Sequence, residues 1–307
     1  MEIAILIPCY NEASAIEKVV SDCKQVLPAA RIYVYDNNST DETIMKAKKA
    51  GAVVRNESLQ GKGNVVRRMF ADIDADVYMM IDGDATYDVT SSPIFIEKLL
   101  SDNLDMINIS RDSQSKNAYR WGHHWGNKFL TGMVNFIFGE RFKDILSGYR
   151  IFSRRFVKSF PVSSEGFEIE TELTVHALSL KMPVGEISAP YYSRIEGSIS
   201  KLSTYKDGFK ILTMIINLMR KEKPLVFYNI FTLIFVLLSL ILGIPVVVHY
   251  FQTGFVPRLP TAVLSAALMI MAFLSLTCGL ILDTVTKGRQ ELKRLFYLQY
   301  TSFNQEK

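Results

Sequence analysis

The sequence is poor in cysteine and carries little excess of either charge. Its three cysteines, Cys9, Cys23 and Cys278, are odd in number and lack the paired spacing of a zinc site or a disulfide framework. Free thiols in a reducing compartment are therefore expected. The net charge is only +4, and no stripe of basic and aromatic residues indicates a nucleic-acid partner. Nucleic acid is accordingly not expected as a ligand.

Charged residues are absent from two long stretches towards the C-terminal end. Leu225–Tyr250 and Leu259–Leu282 contain no Asp, Glu, Lys or Arg. A helix of about 20 apolar residues can cross the hydrocarbon core of a bilayer. Buried core helices rarely run so long without a charge, so both stretches are predicted to span a membrane. Together they define an expected two-helix transmembrane anchor over 225–283.

Basic residues flank the two predicted spans on the sides away from their connecting loop. They are Arg220, Lys221, Lys223, Lys287, Arg289, Lys293 and Arg294. The connecting loop carries only Arg258. Positive residues next to spans favour the cytoplasm, so we expect a multi-pass protein of the cell inner (plasma) membrane with both termini cytoplasmic. The first residues lack a basic region and have too short an apolar run for a signal peptide, which agrees with a soluble domain left in the cytoplasm.

Short β-rich runs alternate with helical patterns in the first half of the chain. The predicted strands are Ile3–Ile7, Ile32–Tyr35, Ala52–Val54, Val77–Ile81 and Met106–Ile109. The predicted helices are Ser14–Val26, Thr40–Ala50, Gly61–Ile73 and Pro93–Leu100. This order predicts an α/β domain with a mostly parallel sheet wrapped by helices.

Polar and charged residues follow strand after strand in this pattern. They occupy Pro8–Glu12, Asp36–Asp41, Asp82–Asp84 and Arg111. Ligands of open α/β sheets bind outside the carboxyl ends of the strands. These residues are therefore expected to form one site.

The Asp82-Gly83-Asp84 stretch follows a strand of the sequence Val-Tyr-Met-Met-Ile. Two carboxylates separated by one residue can hold a hard divalent cation that bridges a diphosphate. A simple turn with Gly at a left-handed position is the alternative, but the acids that follow the other strands favour the metal site. Asp36 is placed to accept hydrogen bonds from a base or ribose, with an Asx-turn before the next helix as its alternative.

Aromatic and basic residues are interleaved over 115–138. The members are Tyr119, Trp121, Trp125, Phe129, Phe136 and Phe138 with Lys116, Arg120, His123, His124 and Lys128. This mixture favours a helix in the membrane interface, with a core helix that has one wet face as the alternative. A second interface helix is expected over 203–222, in a basic stretch next to the first span.

Several blocks of residues together resemble glycosyltransferase family 2, whose fold is called GT-A. The blocks are Pro8-Cys9-Tyr10-Asn11-Glu12, Tyr35-Asp36-Asn37-Asn38-Ser39-Thr40-Asp41, Gln60-Gly61-Lys62-Gly63-Asn64 and Asp82-Gly83-Asp84. Two later blocks, Leu146-Ser147-Gly148-Tyr149-Arg150 and Arg194 to Lys201, look like the polyprenyl-phosphate glycosyltransferase and dolichol-phosphate mannose synthase branch. The resemblance implies a Rossmann-like GT-A domain over 1–224 and a cytoplasmic tail over 284–307.

The resemblance also implies roles at the matching positions. The nucleotide sugar would be bound by Pro8, Tyr10, Glu12, Asp36, Lys62, Asp82 and Asp84. The acceptor phosphate would be bound by Arg111, Arg150, Arg194, Ser200 and Lys201. The catalytic residues would be Asp84, Arg111, Ser147 and Arg150, and the ligands of Mg²⁺ or Mn²⁺ would be Asp82 and Asp84. Two departures are Asn37, where many relatives have a second Asp, and Thr86 in place of a Gln-like residue.

The implied reaction is an inverting transfer of a sugar from a nucleotide-diphosphate sugar, with a UDP-sugar favoured, to polyprenyl (undecaprenyl) phosphate at the cytoplasmic membrane face. A phosphate monoester is anionic near neutral pH because its second pKa is about 6, so no strong general base is needed. Glu168, Glu170 and Glu172 cannot all face one site from one helix. Most of them are expected to be helix-surface charges, with Glu170 as the one that would contact the sugar.

Three alternatives stay open from the sequence: a transferase for another membrane lipid, a polysaccharide synthase, and a non-catalytic scaffold for a flippase. Polysaccharide synthases of this fold carry Gln-x-x-Arg-Trp, and the nearest string here, from Asn117 to Trp121, has Asn in place of Gln. Two spans would also form a poor channel. The resemblance further implies association of copies through the spans.

Overall fold

The computed structural model describes residues 1–112, 130–136, 139, 142–195 and 204–303, without the side chains of 204–208. It divides into two compact units, Met1–Ile215 with Lys293–Lys307, and Ile216–Leu292. The first unit contains the sheet, and the second contains most of the apolar helical residues.

The described residues of the first unit form one seven-stranded sheet. Its strands are β1 (Ile3–Cys9), β2 (Arg31–Asp36), β3 (Val53–Asn56), β4 (Val77–Met80), β5 (Met106–Asp112), β6 (Arg150–Ser153) and β7 (Val184–Pro190). The order is β3-β2-β1-β4-β6-β5-β7. Strand β6 runs antiparallel to β4 and β5, and the other neighbouring pairs are parallel. The prediction of an α/β domain with a mostly parallel sheet is confirmed.

Strand β1 illustrates why these residues form a central strand. Its residues Ala4, Ile5, Leu6 and Ile7 are each no more than 1% exposed. A strand with neighbours on both sides and helices on both faces needs such a continuous apolar run. The polar residues therefore begin only where the strand ends, at the edge of the sheet.

Helices connect the strands. They are α1 (Ile16–Val26), α2 (Thr43–Lys49), α3 (Lys62–Asp72), α4 (Ser92–Ser101), α5 (Arg154–Ser159) and α6 (Ile169–Ser179). Helix α1 buries Ile16, Val19, Val20 and Cys23, the spacing of one helical face. Helix α2 begins at Thr43 rather than at the predicted Thr40, because Asp41 Oδ1 accepts a hydrogen bond from Thr43 N at 3.0 Å and holds a turn before the helix.

The predicted interface helix over 115–138 lies largely outside the described residues. Residues 130–136 are helical, with Leu130 and Val134 buried and Phe136 87% exposed. The second predicted interface helix corresponds to α7 (Thr204–Glu222). It buries Ile211, Ile215 and Leu218 and leaves Phe209 70% exposed, so its described part is amphipathic.

The second unit contains α8 (Pro224–Thr253) and most of α9 (Leu259–Leu298). Both helices are long and apolar enough to cross a membrane, with mean hydropathies of 2.9 and 2.2 over their most apolar windows. Ser239 Oγ donates to Ser265 O at 2.8 Å, and Ser265 Oγ donates to Ser239 O at 3.1 Å. Small hydroxyl side chains let two apolar helices approach closely and bond to each other. The expected pair of C-terminal apolar helices is therefore present as two candidate spans.

The residues from Lys293 onwards belong to the unit that contains the sheet. The Tyr297 hydroxyl donates to Asp105 Oδ2 at 2.7 Å, and Arg294 Nη1 donates to Leu180 O at 3.1 Å. The stretch predicted as a separate tail over 284–307 is thus divided between the two units.

Candidate active site

The ends of β1 and β2 are held side by side by hydrogen bonds between their loops. The two strands are parallel and pair Cys9 with Asp36. Asn11 N donates to Ser39 Oγ at 2.8 Å, and Asn11 Oδ1 accepts from Thr40 N at 2.8 Å. Asn11 has a φ of 52°, a conformation that Asn tolerates better than most residues. The residues predicted after the first two strands therefore lie next to each other.

Asp36 is the last residue of β2 and is 1% exposed. Its Oδ2 accepts a hydrogen bond from Ser39 N at 2.9 Å, as the Asx-turn alternative required. Its Oδ1 is buried, and no donor within the described residues reaches it. A buried carboxylate oxygen without a donor is costly, so Asp36 retains an accepting position that a ligand could satisfy.

Asn37 organises the loop that leads from β3 to α3. It is 3% exposed, and its Nδ2 donates to Glu57 O and to Leu59 O, both at 2.8 Å. Its Oδ1 accepts from Gly61 N at 2.7 Å. A carboxylate could not donate to the two carbonyls. The amide in place of a second Asp therefore serves the loop.

Lys62 lies at the start of α3 between two acids. Its Nζ is 2.6 Å from Asp82 Oδ1 and 2.6 Å from Glu170 Oε1, and the side chains of Lys62 and Glu170 are 8% and 7% exposed. Burial lowers the pKa of Lys62, but the carboxylates of Asp82 and Glu170 outweigh it and raise the pKa above its usual value. Burial raises the pKa of Glu170, and Lys62 opposes that shift. Lys62 is therefore a fixed positive charge in the site.

Glycines on either side of Lys62 allow the backbone to pack against the segment before α6. A Cβ on Gly61 would lie 2.2 Å from Glu165 O, and one on Gly63 would lie 2.2 Å from Ser164 O. Gly63 N donates to Glu165 O at 2.9 Å. The glycines therefore permit the contact that fixes Lys62.

The expected sugar contact of Glu170 stays a prediction, and the expectation of a surface charge is wrong for Glu172, because Glu170 and Glu172 are both buried. They are 5% and 7% exposed. Glu172 Oε2 accepts from Ser164 N at 2.8 Å and Glu172 Oε1 from Ser163 N at 3.1 Å, while Glu170 pairs with Lys62. Helix α6 is buried on nearly every side, so its acids have no solvent-facing stripe. The sequence signal for this burial is that the apolar residues of α6 lack the spacing of a helix with one solvent-facing side.

Asp84 pairs with a cation from the loop after β7. It is 4% exposed, and its Oδ1 accepts from Thr86 Oγ1 at 2.6 Å. Its Oδ2 is 2.6 Å from Arg194 Nη2, and Arg194 Nη1 is 3.6 Å from Glu12 Oε1. Burial and the nearby charge of Asp82 raise the pKa of Asp84, while Arg194 opposes the shift. Three predicted residues, Glu12, Asp84 and Arg194, are thus brought together.

Gly148 lies in the turn before β6 and packs against the Asp82 side chain. A Cβ at this position would lie 2.1 Å from Asp82 Oδ2, so only glycine permits the approach. Ser147 and Arg150, on either side of the Gly148–Tyr149 pair, are both 0% exposed. Ser147 Oγ donates to Ile109 O at 2.5 Å.

Arg150 is buried beneath this turn rather than exposed at the site. Its Nε donates to Ser147 O at 3.1 Å, its Nη2 to Ile145 O at 2.6 Å and its Nη1 to Thr174 Oγ1 at 2.8 Å. Burial lowers its pKa to about 10. The structure thus places Ser147 and Arg150 as supports of the turn. The catalytic roles expected of both residues and the phosphate contact expected of Arg150 stay predictions, for which this arrangement offers no exposed surface.

Arg111 at the end of β5 makes a two-point contact with Asp144. Its Nε is 2.6 Å from Asp144 Oδ2 and its Nη2 is 2.9 Å from Asp144 Oδ1. Its guanidinium also lies 5.6 Å from the ring centroid of Tyr191. Pro8 is half-buried and Tyr10 is 37% exposed at the end of β1. Ser200 and Lys201 lie outside the described residues.

Asp82 and Asp84 fit a divalent cation by their chemistry. No three His, Cys, Asp or Glu side chains converge as a ready metal site in the described part of the chain. Carboxylate oxygens are nevertheless the ligands that Mg²⁺ and Mn²⁺ prefer. The Asp84 carboxylate already forms an ion pair with a cationic group, the guanidinium of Arg194. The pair could therefore supply two ligands, with the remaining ones from a bound diphosphate.

The fold and the acids at its strand ends define a glycosyltransferase of the GT-A type. The family model described as "Glycosyl transferase family 2" matches residues 4–160. The chain belongs to this family, as the resemblance predicted.

Relatives that cover most of the chain agree with this assignment. "Glycosyltransferase AglJ" of Haloferax volcanii is 31% identical over 300 residues, which cover 97% of this chain and 98% of that protein. A "Dolichyl-phosphate hexose transferase" of the same organism is 24% identical over 72% of this chain and 96% of that protein. A "Dolichol-phosphate mannosyltransferase" of Pyrococcus furiosus is 25% identical over 72% of this chain and 65% of that protein. The predicted resemblance to the polyprenyl-phosphate branch is confirmed by these relatives.

Solved structures support the fold. Glucosyl-3-phosphoglycerate synthase from Mycobacterium tuberculosis, in complex with Mn²⁺, UDP and glucosyl-3-phosphoglycerate, matches with a TM-score of 0.59 and 19% identity. The match covers 71% of this chain and 79% of that one. The same enzyme was also crystallised with Mg²⁺ and UDP. The GT-A fold prediction is thereby confirmed.

Proposed function

We propose that the protein transfers a sugar, with inversion, from a UDP-sugar to polyprenyl (undecaprenyl) phosphate at the cytoplasmic face of a membrane. The observation that carries the proposal is the convergence of acids and cations at one sheet edge: Asp36 with its open acceptor position, Asp82 with Lys62, and Asp84 with Arg194. Such a site suits a ligand with a hydrogen-bonding nucleoside and a diphosphate.

The donor half of the site binds the nucleotide sugar. Asp36 Oδ1 accepts a hydrogen bond from the base or ribose, and Pro8, Tyr10 and Glu12 line the same pocket. Lys62, held as a cation, lies beside Asp82 and attracts the diphosphate as a point charge. Asp82 and Asp84 would hold Mg²⁺ or Mn²⁺, which when bound neutralises negative charge on the leaving diphosphate.

The acceptor half of the site binds the lipid phosphate. Arg111 and Arg194 present planar guanidinium groups that suit phosphate oxygens, and Ser200 and Lys201 follow Arg194 in the sequence. A phosphate oxygen forms the new bond to the anomeric carbon as the bond to the UDP leaving group breaks. The attack comes from the side opposite the leaving group, which gives inversion. The residues contribute by positioning two anions and offsetting their repulsion.

A lipid acceptor is supported by the apolar part of the chain and by the relatives. Helices α8 and α9 are candidate spans, and basic residues such as Arg220 and Lys287 flank them on one expected side. Two relatives carry dolichyl-phosphate or dolichol-phosphate in their names. A membrane-anchored enzyme would meet a polyprenyl phosphate where its head group lies, at the interface.

The test is transfer by the purified full chain in lipid nanodiscs. Undecaprenyl phosphate or diacylglycerol is offered with labelled UDP-glucose, UDP-N-acetylglucosamine or GDP-mannose, with Mn²⁺ or EDTA. We expect labelled undecaprenyl phosphate from one UDP-sugar, inverted at the anomeric carbon by NMR, and loss of product with EDTA.

Matched variants locate the activity. Asp84→Asn should lower kcat by roughly 100-fold or more, since it weakens both cation binding and charge compensation. Asp22→Asn, which changes a partly exposed acid on α1 paired with Lys18, should leave kcat unchanged. Label on diacylglycerol alone, or equal activity of both variants, would refute the proposal.

A further inference from the structure

Arg194 joins the acids that follow two different strands. Its Nη2 is 2.6 Å from Asp84 Oδ2 and its Nη1 is 3.6 Å from Glu12 Oε1. The side chains of Asp84 and Glu12 are 6% and 8% exposed, whereas that of Arg194 is 30% exposed. The cation thus approaches buried acids from the open side of the site.

The two oxygens of Asp84 have different environments. Oδ1 accepts from Thr86 N at 3.2 Å and from Thr86 Oγ1 at 2.6 Å. Oδ2 is the oxygen paired with Arg194. A divalent cation on Asp84 would use Oδ2, because Oδ1 is already held by the two Thr86 donors.

A divalent cation and the guanidinium would then compete for one oxygen. Two cationic groups within a few ångströms of each other in a partly buried site repel strongly. Removing the guanidinium without a replacement would take a counter-charge away from the buried carboxylate of Asp84, which is costly. Binding of the divalent cation at Asp84 and pairing of the Arg194 guanidinium with Asp84 therefore oppose each other.

We propose that Arg194 is an exchangeable internal counter-ion of Asp84: binding of the divalent cation with the donor displaces it, and the released guanidinium then binds the acceptor phosphate. This inference rests on the proposed function and adds an order to it. Donor and cation bind first, and they free the group that the acceptor needs. Because linked binding is reciprocal, acceptor phosphate on Arg194 also favours cation binding at Asp84.

Arg194 is expected to weaken the binding of the divalent cation and to strengthen the binding of the acceptor. Its removal should therefore change the two affinities in opposite directions, which can be measured. Arg194→Gln removes the positive charge but keeps a polar, though shorter, side chain. In the absence of nucleotide, Mn²⁺ should bind this variant about tenfold more tightly than the unaltered protein, because no internal cation competes. The KM for undecaprenyl phosphate should rise at the same time. A residue that only braced the loop would weaken both properties.

The experiment measures Mn²⁺ binding by electron paramagnetic resonance on the full chain in nanodiscs. Arg55→Gln is the matched control, since Arg55 pairs with Asp72 elsewhere in the same unit and is 43% exposed; its Mn²⁺ affinity should not change. Arg194→Lys keeps the charge and should bind Mn²⁺ within about twofold of the unaltered protein. Thermal unfolding of each variant verifies that it is folded.

The outcomes separate this inference from the proposed function. Unchanged or weaker Mn²⁺ binding by folded Arg194→Gln overturns the counter-ion role, even when sugar transfer to undecaprenyl phosphate is observed. Absence of Mn²⁺ binding by both proteins also overturns it. Tighter binding by Arg194→Gln supports it, including the case in which another lipid proves to be the acceptor.

Discussion

Asn37 shows how one side chain can serve the fold of a loop that bears a functional residue. Its amide bonds Glu57 O, Leu59 O and Gly61 N, and Gly61 directly precedes Lys62. The sequence marks this position only as a departure from an Asp-Asp pair. Its partners are 20 to 24 residues away in the chain, so local spacing could not reveal them.

We predict that Asn37→Asp destabilises this loop and weakens donor binding. The carboxylate has the same shape but cannot donate to Glu57 O and Leu59 O, and leaving buried polar groups unpaired costs about 1–3 kcal/mol. The melting temperature should fall, and the KM for the donor should rise several-fold as Lys62 loses its support. Differential scanning fluorimetry and steady-state kinetics measure the two effects.

Asn38→Asp is the control for this prediction. Asn38 has a φ of 66° and an exposed amide that donates to Ser58 O at 2.8 Å. Its replacement should change the melting temperature and the KM little, because water can satisfy the freed carbonyl. Equal effects of the two variants would show that the buried amide of Asn37 has no special role.

At the scale of elements, apolar patterns predicted the central strands well. Strands β1, β2 and β4 begin and end within two residues of their predicted bounds, because each is a short apolar run followed by polar residues. Strands β6 and β7 were not predicted. β6 has four residues and begins with an arginine, and β7 contains Gly185 and Glu186. Both depend on pairing with neighbours distant in sequence rather than on a local pattern.

The site residues also divide into those that a local pattern could place and those that depend on contacts distant in sequence. Acids at or after strand ends, such as Asp36 and Asp84, could be placed at one edge because a parallel sheet brings its strand ends together, while their ligand contacts stay predictions. Glu170 reaches that edge from α6 and contacts Lys62 across 108 residues of sequence. Arg150 has a phosphate-binding side chain but is used inside the fold. Residue type alone could not distinguish these two cases.

Helix α3 depends on glycine for its contact with the segment before α6, and we predict that Gly63→Ala disturbs both. The added Cβ would lie 2.2 Å from Ser164 O, a backbone atom that cannot rotate away. Overpacking of this kind costs about 1–3 kcal/mol. The shift should move Lys62 relative to Asp82. The rate of sugar transfer should therefore fall by more than the loss of folded protein alone would explain. Unfolding and transfer assays on the same preparation measure the difference.

Gly132→Ala provides the comparison for that variant. Gly132 lies in the helical stretch 130–136, and nothing lies within 4 Å of a Cβ built on it. Alanine is favoured over glycine in a helix by up to about 1 kcal/mol, so stability should be equal or slightly higher. Wild-type transfer by Gly63→Ala would contradict the proposed need for close packing at α3.

At the scale of the whole molecule, the chain completes its sheet-containing unit only after the apolar helices. Asp105 is 0% exposed and receives hydrogen bonds from Ser153 Oγ at 2.7 Å and from the Tyr297 hydroxyl at 2.7 Å. The Arg155 guanidinium contacts the same carboxylate and lies 4.9 Å from the Tyr297 ring centroid. A residue near the C-terminal end thus completes the partners of a buried acid at the start of β5.

We therefore predict that Tyr297→Phe destabilises the sheet-containing unit in the full chain. The substitution keeps the ring beside Arg155 but removes one donor from the buried Asp105 carboxylate, which costs about 1–3 kcal/mol because a charged acceptor is left underbonded. Tyr300→Phe, which keeps the ring near Arg154, should have little effect. Hydrogen exchange followed by mass spectrometry should show faster exchange in β5 and β6 for Tyr297→Phe only. Unaltered exchange there would contradict the prediction, because the Tyr297 hydroxyl would then add no stability to β5 and β6.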